Sequence, residues 1–167
     1  MKRDKWLFLT ISILTILTGC GQVISSSATA KESEVIGIID QMPAENSQQR
    51  DALAAKLVAL NPEATIQLSE MLLPPSDPND TAVRYGLSAL THYTARDGAE
   101  AERAVYATAL IDAIAIVPEK QNKVFLIEQL QLVGKDEAVK PLGKLLNNED
   151  LYDYAARALL TINTDAV

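Results

Sequence analysis

From residue 34 to residue 162 the apolar positions recur every three or four residues and rarely every second one, which is the spacing that lays a single stripe along an α-helix. Alanine and leucine abound and β-branched runs are short, so the local preferences agree with that period. Breaks in the stripe divide it into eight predicted helices over 34–42, 47–60, 62–72, 81–95, 99–117, 119–133, 136–146 and 149–162. Pro62 and Glu63 suit a first helical turn behind an Asn61 cap, while Asp97-Gly98 and Gly134 mark stops. The run Pro74-Pro75-Ser76-Asp77-Pro78-Asn79-Asp80 cannot continue a helix. Before residue 34 the pattern differs. A nearly all-apolar run, Trp6 to Leu17, follows Lys2, Arg3 and Lys5, and is shorter than the roughly 20 residues a spanning helix needs. Residues 21–33, with Ser25-Ser26-Ser27 and few large apolar side chains, read as a flexible tether.

The even-numbered helices repeat one apolar signature. Leu53, Leu57 and Leu60 recur as Val83, Leu87 and Leu90, then as Ile127 and Leu130 with Lys123 in the first place, then as Tyr152, Ala156 and Leu159. Leu60, Leu90, Leu130 and Leu159 are separated by 30, 40 and 29 residues. A helical hairpin of that length cannot bury its stripe alone and must stack on its neighbours. The expectation is an all-α domain over 34–167, built of about four helix pairs.

These units resemble HEAT-type repeats. The last one carries the likeness best, with Pro141 inside a first helix over 136–146, Asn147-Asn148-Glu149-Asp150 at the turn, and the small-residue run Ala155-Ala156-Arg157-Ala158 in the second helix. In the second unit Asp80, Val83 and Arg84 match the aspartate, valine and arginine such repeats favour at their turn. Asp153 replaces that arginine in the last unit, and the 119–133 helix lacks both the aspartate and the arginine. The resemblance covers about 62–162, with 34–60 as an atypical cap, and implies a right-handed α-solenoid whose second helices line the concave side. Pro141 has a physical reading as well. Inside a helix proline removes one hydrogen bond and costs about 3 kcal/mol unless relieved, but this one falls only some five residues in, where little ladder is lost.

Leu17-Thr18-Gly19-Cys20, closing the first apolar run, is similar to a bacterial lipoprotein signal. The likeness implies that residues 1–19 are removed and that Cys20, the only cysteine, becomes an acylated first residue anchoring the protein to a membrane of the cell envelope. Gly21 stands where an aspartate would act as an inner-membrane retention signal in Gram-negative cells, which implies an outer membrane, facing the periplasm. An ordinary secretory site at Ala28-Thr29-Ala30 is the alternative, but lies about ten residues past the apolar run, farther than such sites usually fall.

Over all 167 residues there are 15 Lys+Arg and 22 Asp+Glu, a formal charge of −7; without residues 1–19 the balance becomes 12 against 21, or −9. That sign and the absence of a dense basic cluster past the signal argue against nucleic acid as a partner. His92 is the only histidine, so neither a zinc site nor a nucleophilic triad is recognisable, and no cofactor is expected beyond the lipid on Cys20. Glu100 and Glu102 fit a first helical turn, where the helix dipole favours negative charge. Asp77, Asn79 and Asp80 lack the glycine and distal glutamate of a calcium loop.

Setting the repeated stripe inward turns Tyr85, Ser88 and His92 outward on the fourth helix, Phe125, Glu128 and Leu132 on the sixth, and Tyr154, Arg157 and Thr161 on the eighth. An aromatic ring at one repeat position three times over fits either packing between units or a groove for a partner. The function expected is a non-enzymatic, membrane-anchored module that binds another protein or peptide in the cell envelope. An envelope enzyme acting through carboxylates is one alternative. The other is a structural protein whose last pair, followed only by Thr164-Asp165-Ala166-Val167, docks on copies of itself, unless that pair is polar enough or the array continues in a longer chain.

Overall fold

A computed structural model of the chain describes residues 21–164, with side chains from residue 29. Residues 1–19, expected to be a lipoprotein signal, together with Cys20 and residues 165–167, lie outside the described residues. Among the described residues the fold is all-α: α1 Gly21–Ile39, α2 Ser47–Ala59, α3 Glu63–Glu70, α4 Thr81–Thr94, α5 Glu100–Ile116, α6 Lys120–Val133, α7 Asp136–Leu145 and α8 Tyr152–Ile162, with one 3-10 turn, Pro78–Asp80, before α4.

Local chemistry sets most of these limits. Asn46 caps α2 by accepting from the Gln49 N–H at 2.9 Å, and Gln49 in turn accepts from the Glu45 N–H. Gly98 occupies the left-handed region at φ 79° between α4 and α5, and Asn163 does so at φ 40° after α8. Gly134 ends α6 for a steric reason. A Cβ there would lie 2.7 Å from the Leu130 carbonyl oxygen and 2.9 Å from Ala138 Cβ, so only glycine lets α7 turn back so closely. Pro141 lies inside α7.

Three expectations are corrected. Residues 21–33 are not a tether but the first two-thirds of α1, and their distal part docks: Lys31 pairs with Glu63 at 3.2 Å and Gln67 donates to the Glu32 carbonyl. Alanine and serine without proline offer no obstacle to a helix that Val35, Ile38 and Ile39 anchor in the core. Asn61 does not cap α3. Pro62 occupies the cap position and the Asn61 carboxamide instead accepts from the Thr65 hydroxyl. Tyr152 does not fill a core position, for Leu151 just before α8 and Ala155, Ala158, Leu159 and Ile162 within it are buried while Tyr152 is exposed.

Helices two apart in sequence pack side by side: α1, α3, α5 and α7 follow one another in one layer and α2, α4, α6 and α8 in the other. Within each pair the two helices also touch, α1 with α2 through to α7 with α8. One continuous core runs between the layers from Val35 to Ile162, and its fully buried leucines, among them Leu57, Leu68, Leu87, Leu110, Leu126 and Leu142, come from six different helices. An α6 placed between α4 and α8, with α5 across the core, must bury more than one stripe, which is why Asn122 and Gln129 are buried beside Leu126 and Leu130.

Candidate functional site

The outer surface of the α4, α6 and α8 layer gathers the residues singled out from the sequence, though not as a stripe of free rings. Tyr85, Phe125 and Tyr154 are half-buried and pack against the core. Phe125 lies beneath the Arg84 guanidinium of α4, 5.1 Å from its ring centre, and Tyr154 beneath Arg157 at 4.8 Å. Ser88 is half-buried, while His92, Glu128, Arg157 and Thr161 are exposed. Leu132, on the same side of α6 as Glu128, is 60% exposed, and Thr161 of α8 accepts from the Gln131 amide at 3.0 Å. The face is therefore a polar surface with one large aliphatic side chain standing out of it, flanked by rings that close the seams between helices.

Two buried polar groups hold these helices in place. Asp80, at the start of α4, pairs with Arg84 at 2.8 Å, and also accepts from the Leu73 N–H. Arg84 donates onward to the Leu73 carbonyl at 2.9 Å and to Asn122 Oδ1 of α6 at 2.8 Å, and Asn122 returns a bond to the Leu72 carbonyl. One guanidinium thus ties the α3 to α4 loop, α4 and α6 together. Deeper in, Tyr106 of α5 donates to the Leu87 carbonyl of α4 at 2.9 Å, and Thr91 donates to Gln129 Oε1 of α6, also at 2.9 Å. Asn122 and Gln129 are one heptad apart on α6, and that spacing of two polar residues inside an apolar helix is the signal by which the sequence could have revealed them.

Complete burial pushes the Tyr106 phenol well above its ordinary value of 10.0, and the Thr91 hydroxyl offsets this only in part. A raised folded value means that the unfolded chain loses its proton first. The contribution of Tyr106 to stability is therefore full below pH 10 and is lost as pH rises beyond it. Tyr106→Phe should lower stability by about 1 kcal/mol at neutral pH by removing one buried hydrogen bond. In urea unfolding above pH 10 the gap between variant and parent should narrow; a gap that widens would refute the assignment.

The carboxylates considered for chemistry are engaged elsewhere. Glu102 pairs with Arg96 at 2.6 Å and Glu100 accepts from the Gly98 N–H. Asp77 accepts from the Asn79 backbone and carboxamide, building the 3-10 turn. Glu137 of α7 takes an ion pair from Arg103 of α5 at 2.6 Å, and the same guanidinium caps the end of α6 through the Val133 carbonyl. On the other layer an open cleft of about 700 Å³ separates α1 from α3, with Val35, Ile36, Ile66 and Met71 in its walls and the Lys31 to Glu63 pair at its rim. Helix α3 starts on Glu63, whose carboxyl is held below its ordinary range first by the backbone N–H groups there and then by the Lys31 ammonium. Comparison of the chain with protein-family models, with curated proteins and with solved structures finds no match.

Proposed function

We propose that the chain is a lipid-anchored helical-repeat protein of the cell envelope, a right-handed stack of HEAT-like hairpins that binds another protein or a peptide on the outer surface of α4, α6 and α8. Packing of helices two apart in sequence supports the stacked architecture, since each hairpin then covers the stripe of the one before it. Support for the anchor is the Leu17-Thr18-Gly19-Cys20 motif behind its short apolar run. The observation that carries the binding surface is Leu132, 60% exposed on the helix at the middle of the layer and bordered by Glu128, with His92 and Arg157 on the helices to either side. A large apolar side chain ringed by charged and hydrogen-bonding groups is the pattern of an interface centre with a polar rim.

The test is capture from native membranes by crosslinking the full chain, followed by mass spectrometry. Leu132→Asp combined with His92→Ala should remove the captured protein while circular dichroism and the melting temperature stay those of the parent. Those two side chains are exposed, so their loss does not disturb the core, whereas alanine at Phe125 or Tyr154 would open a seam. Undiminished capture by the double variant would reject this surface.

A further inference from the structure

The apolar stripe of the even-numbered helices is broken once by a cation. Leu53 of α2 and Val83 of α4 hold its first place and are buried, whereas α6 carries Lys123 there. At that point the structure has an open cavity of about 290 Å³, between α5, α6 and α7. Ile114 of α5, Leu130 of α6 and Leu142 of α7 are buried core residues in its walls, and Lys123, half-buried, and Lys144, exposed, also line it. Every other side chain that lines it is apolar, so no carboxylate, hydroxyl or carboxamide is present to meet the two cations. Neither ammonium has an ion-pair partner among the described residues. A lysine in a hydrocarbon place, facing a void and unmatched by an anion, costs free energy unless something answers it. Such a breach of the local pattern is where a functional group is to be sought.

We propose that this cavity binds a single-chain aliphatic carboxylate, a medium-chain fatty acid, with its hydrocarbon against Ile114, Leu130 and Leu142 and its carboxylate toward Lys123 and Lys144. Charge selects the head, because two unmatched ammonium groups and no acidic neighbour favour an anion. The walls select the body. Apart from the lysines they offer no side-chain hydrogen-bond partner, so the N–H groups of a peptide would be stranded there, whereas a hydrocarbon chain needs none. Size selects the length: at about 30 Å³ for each water-sized group the cavity admits roughly ten heavy atoms, the content of one carboxylate on a chain of about eight carbons and far too few for a two-chain lipid. An apolar pocket with a few placed polar groups that fix the ligand's orientation is the usual form of a small-molecule site. The cavity lies between the two layers, apart from the outer surface of α4, α6 and α8, so the inference stands independently of partner binding there.

The full chain in phosphatidylcholine nanodiscs is titrated calorimetrically with straight-chain carboxylates, and the heats given by empty discs are subtracted. From hexanoate to octanoate binding should tighten about tenfold or more, as two further methylenes leave water, and from decanoate onward the gain should fall below about twofold for each methylene, because the cavity is full. Octylammonium, with the opposite charge, should not bind. Lys123→Leu should weaken octanoate about tenfold or more through loss of a charged partner, while its melting temperature stays at or above that of the parent, since leucine fills this place in α2. Lys123→Arg should keep the binding. Ala115→Phe, an exposed position in the lining, should block the cavity without touching either lysine. Lys56→Leu, which removes an exposed lysine of α2, should leave the affinity unchanged. A Lys123→Leu variant that binds octanoate as the parent does would mean that this side chain only lays its stem along the seam, and would overturn the proposal. So would equal binding of octanoate and octylammonium, an affinity that climbs steadily past decanoate, or binding of a short peptide ending in leucine where octanoate gives no heat.

Discussion

Arg84→Ala is expected to destabilise the folded chain by about 3 kcal/mol, because removing one partner of a buried ion pair strands the other charge. Asp80 is the charge in question, its side chain only 4% exposed. In the parent it is matched by Arg84 at 2.8 Å, and in the variant it keeps a single backbone donor, the Leu73 N–H at 3.0 Å. Two more acceptors lose their donor at the same time, the Leu73 carbonyl and Asn122 Oδ1. Urea unfolding followed by circular dichroism should show a lower midpoint with an unchanged slope. The double variant Asp80→Ala, Arg84→Ala should be more stable than Arg84→Ala alone, since the stranded carboxylate is gone. A loss below about 1 kcal/mol for Arg84→Ala would place the pair in the weak class of solvated ion pairs and reject this account.

Leu126→Ala should cost a similar amount, about 3 kcal/mol, as the lost transfer energy of a buried leucine plus the cavity it leaves. The site is poorly placed to collapse. Leu126 is fully buried on α6, and α4, α5 and α8 all pack against that helix, so closing the void would require several elements to shift together. The informative comparison is Leu132→Ala, six residues on in the same helix and 60% exposed, where the change should stay within about 0.5 kcal/mol. Calorimetry or urea titration of the pair separates the two faces of α6. Equal losses at the two positions would mean that Leu132 is covered in the folded chain, and the proposed binding surface would go with it.

Both experiments bear on how far a one-dimensional pattern can be trusted. Helix limits were legible to within a few residues at most ends because they are decided locally, by the three-and-four spacing of apolar residues, by the proline run before Asp80 and by Gly98. The start of α1 was not, because polar, small residues at 21–33 are equally compatible with tether and helix until Lys31 and Gln67 meet their partners across α1 and α3. Nor was the register of α8. Its repeat signature pointed Tyr152 inward, whereas Leu151, Ala155 and Ala158 are the positions that meet the core. In the candidate site, the spacing turned Tyr85, Phe125 and Tyr154 away from the core, whereas all three are half-buried against it, with Arg84 and Arg157 lying over two of the rings.

By itself the amino-acid order determined that this chain is helical and roughly where each helix begins and ends, because periodicity, capping and the missing N–H of proline act over a few residues. Only the tertiary structure decided which sides of those helices are covered. An inner helix such as α6 is wrapped by three others, so Asn122 and Gln129 become interior residues when Arg84 and Thr91 arrive from 38 positions away to bond them. Leu160, which no described helix covers, is 76% exposed.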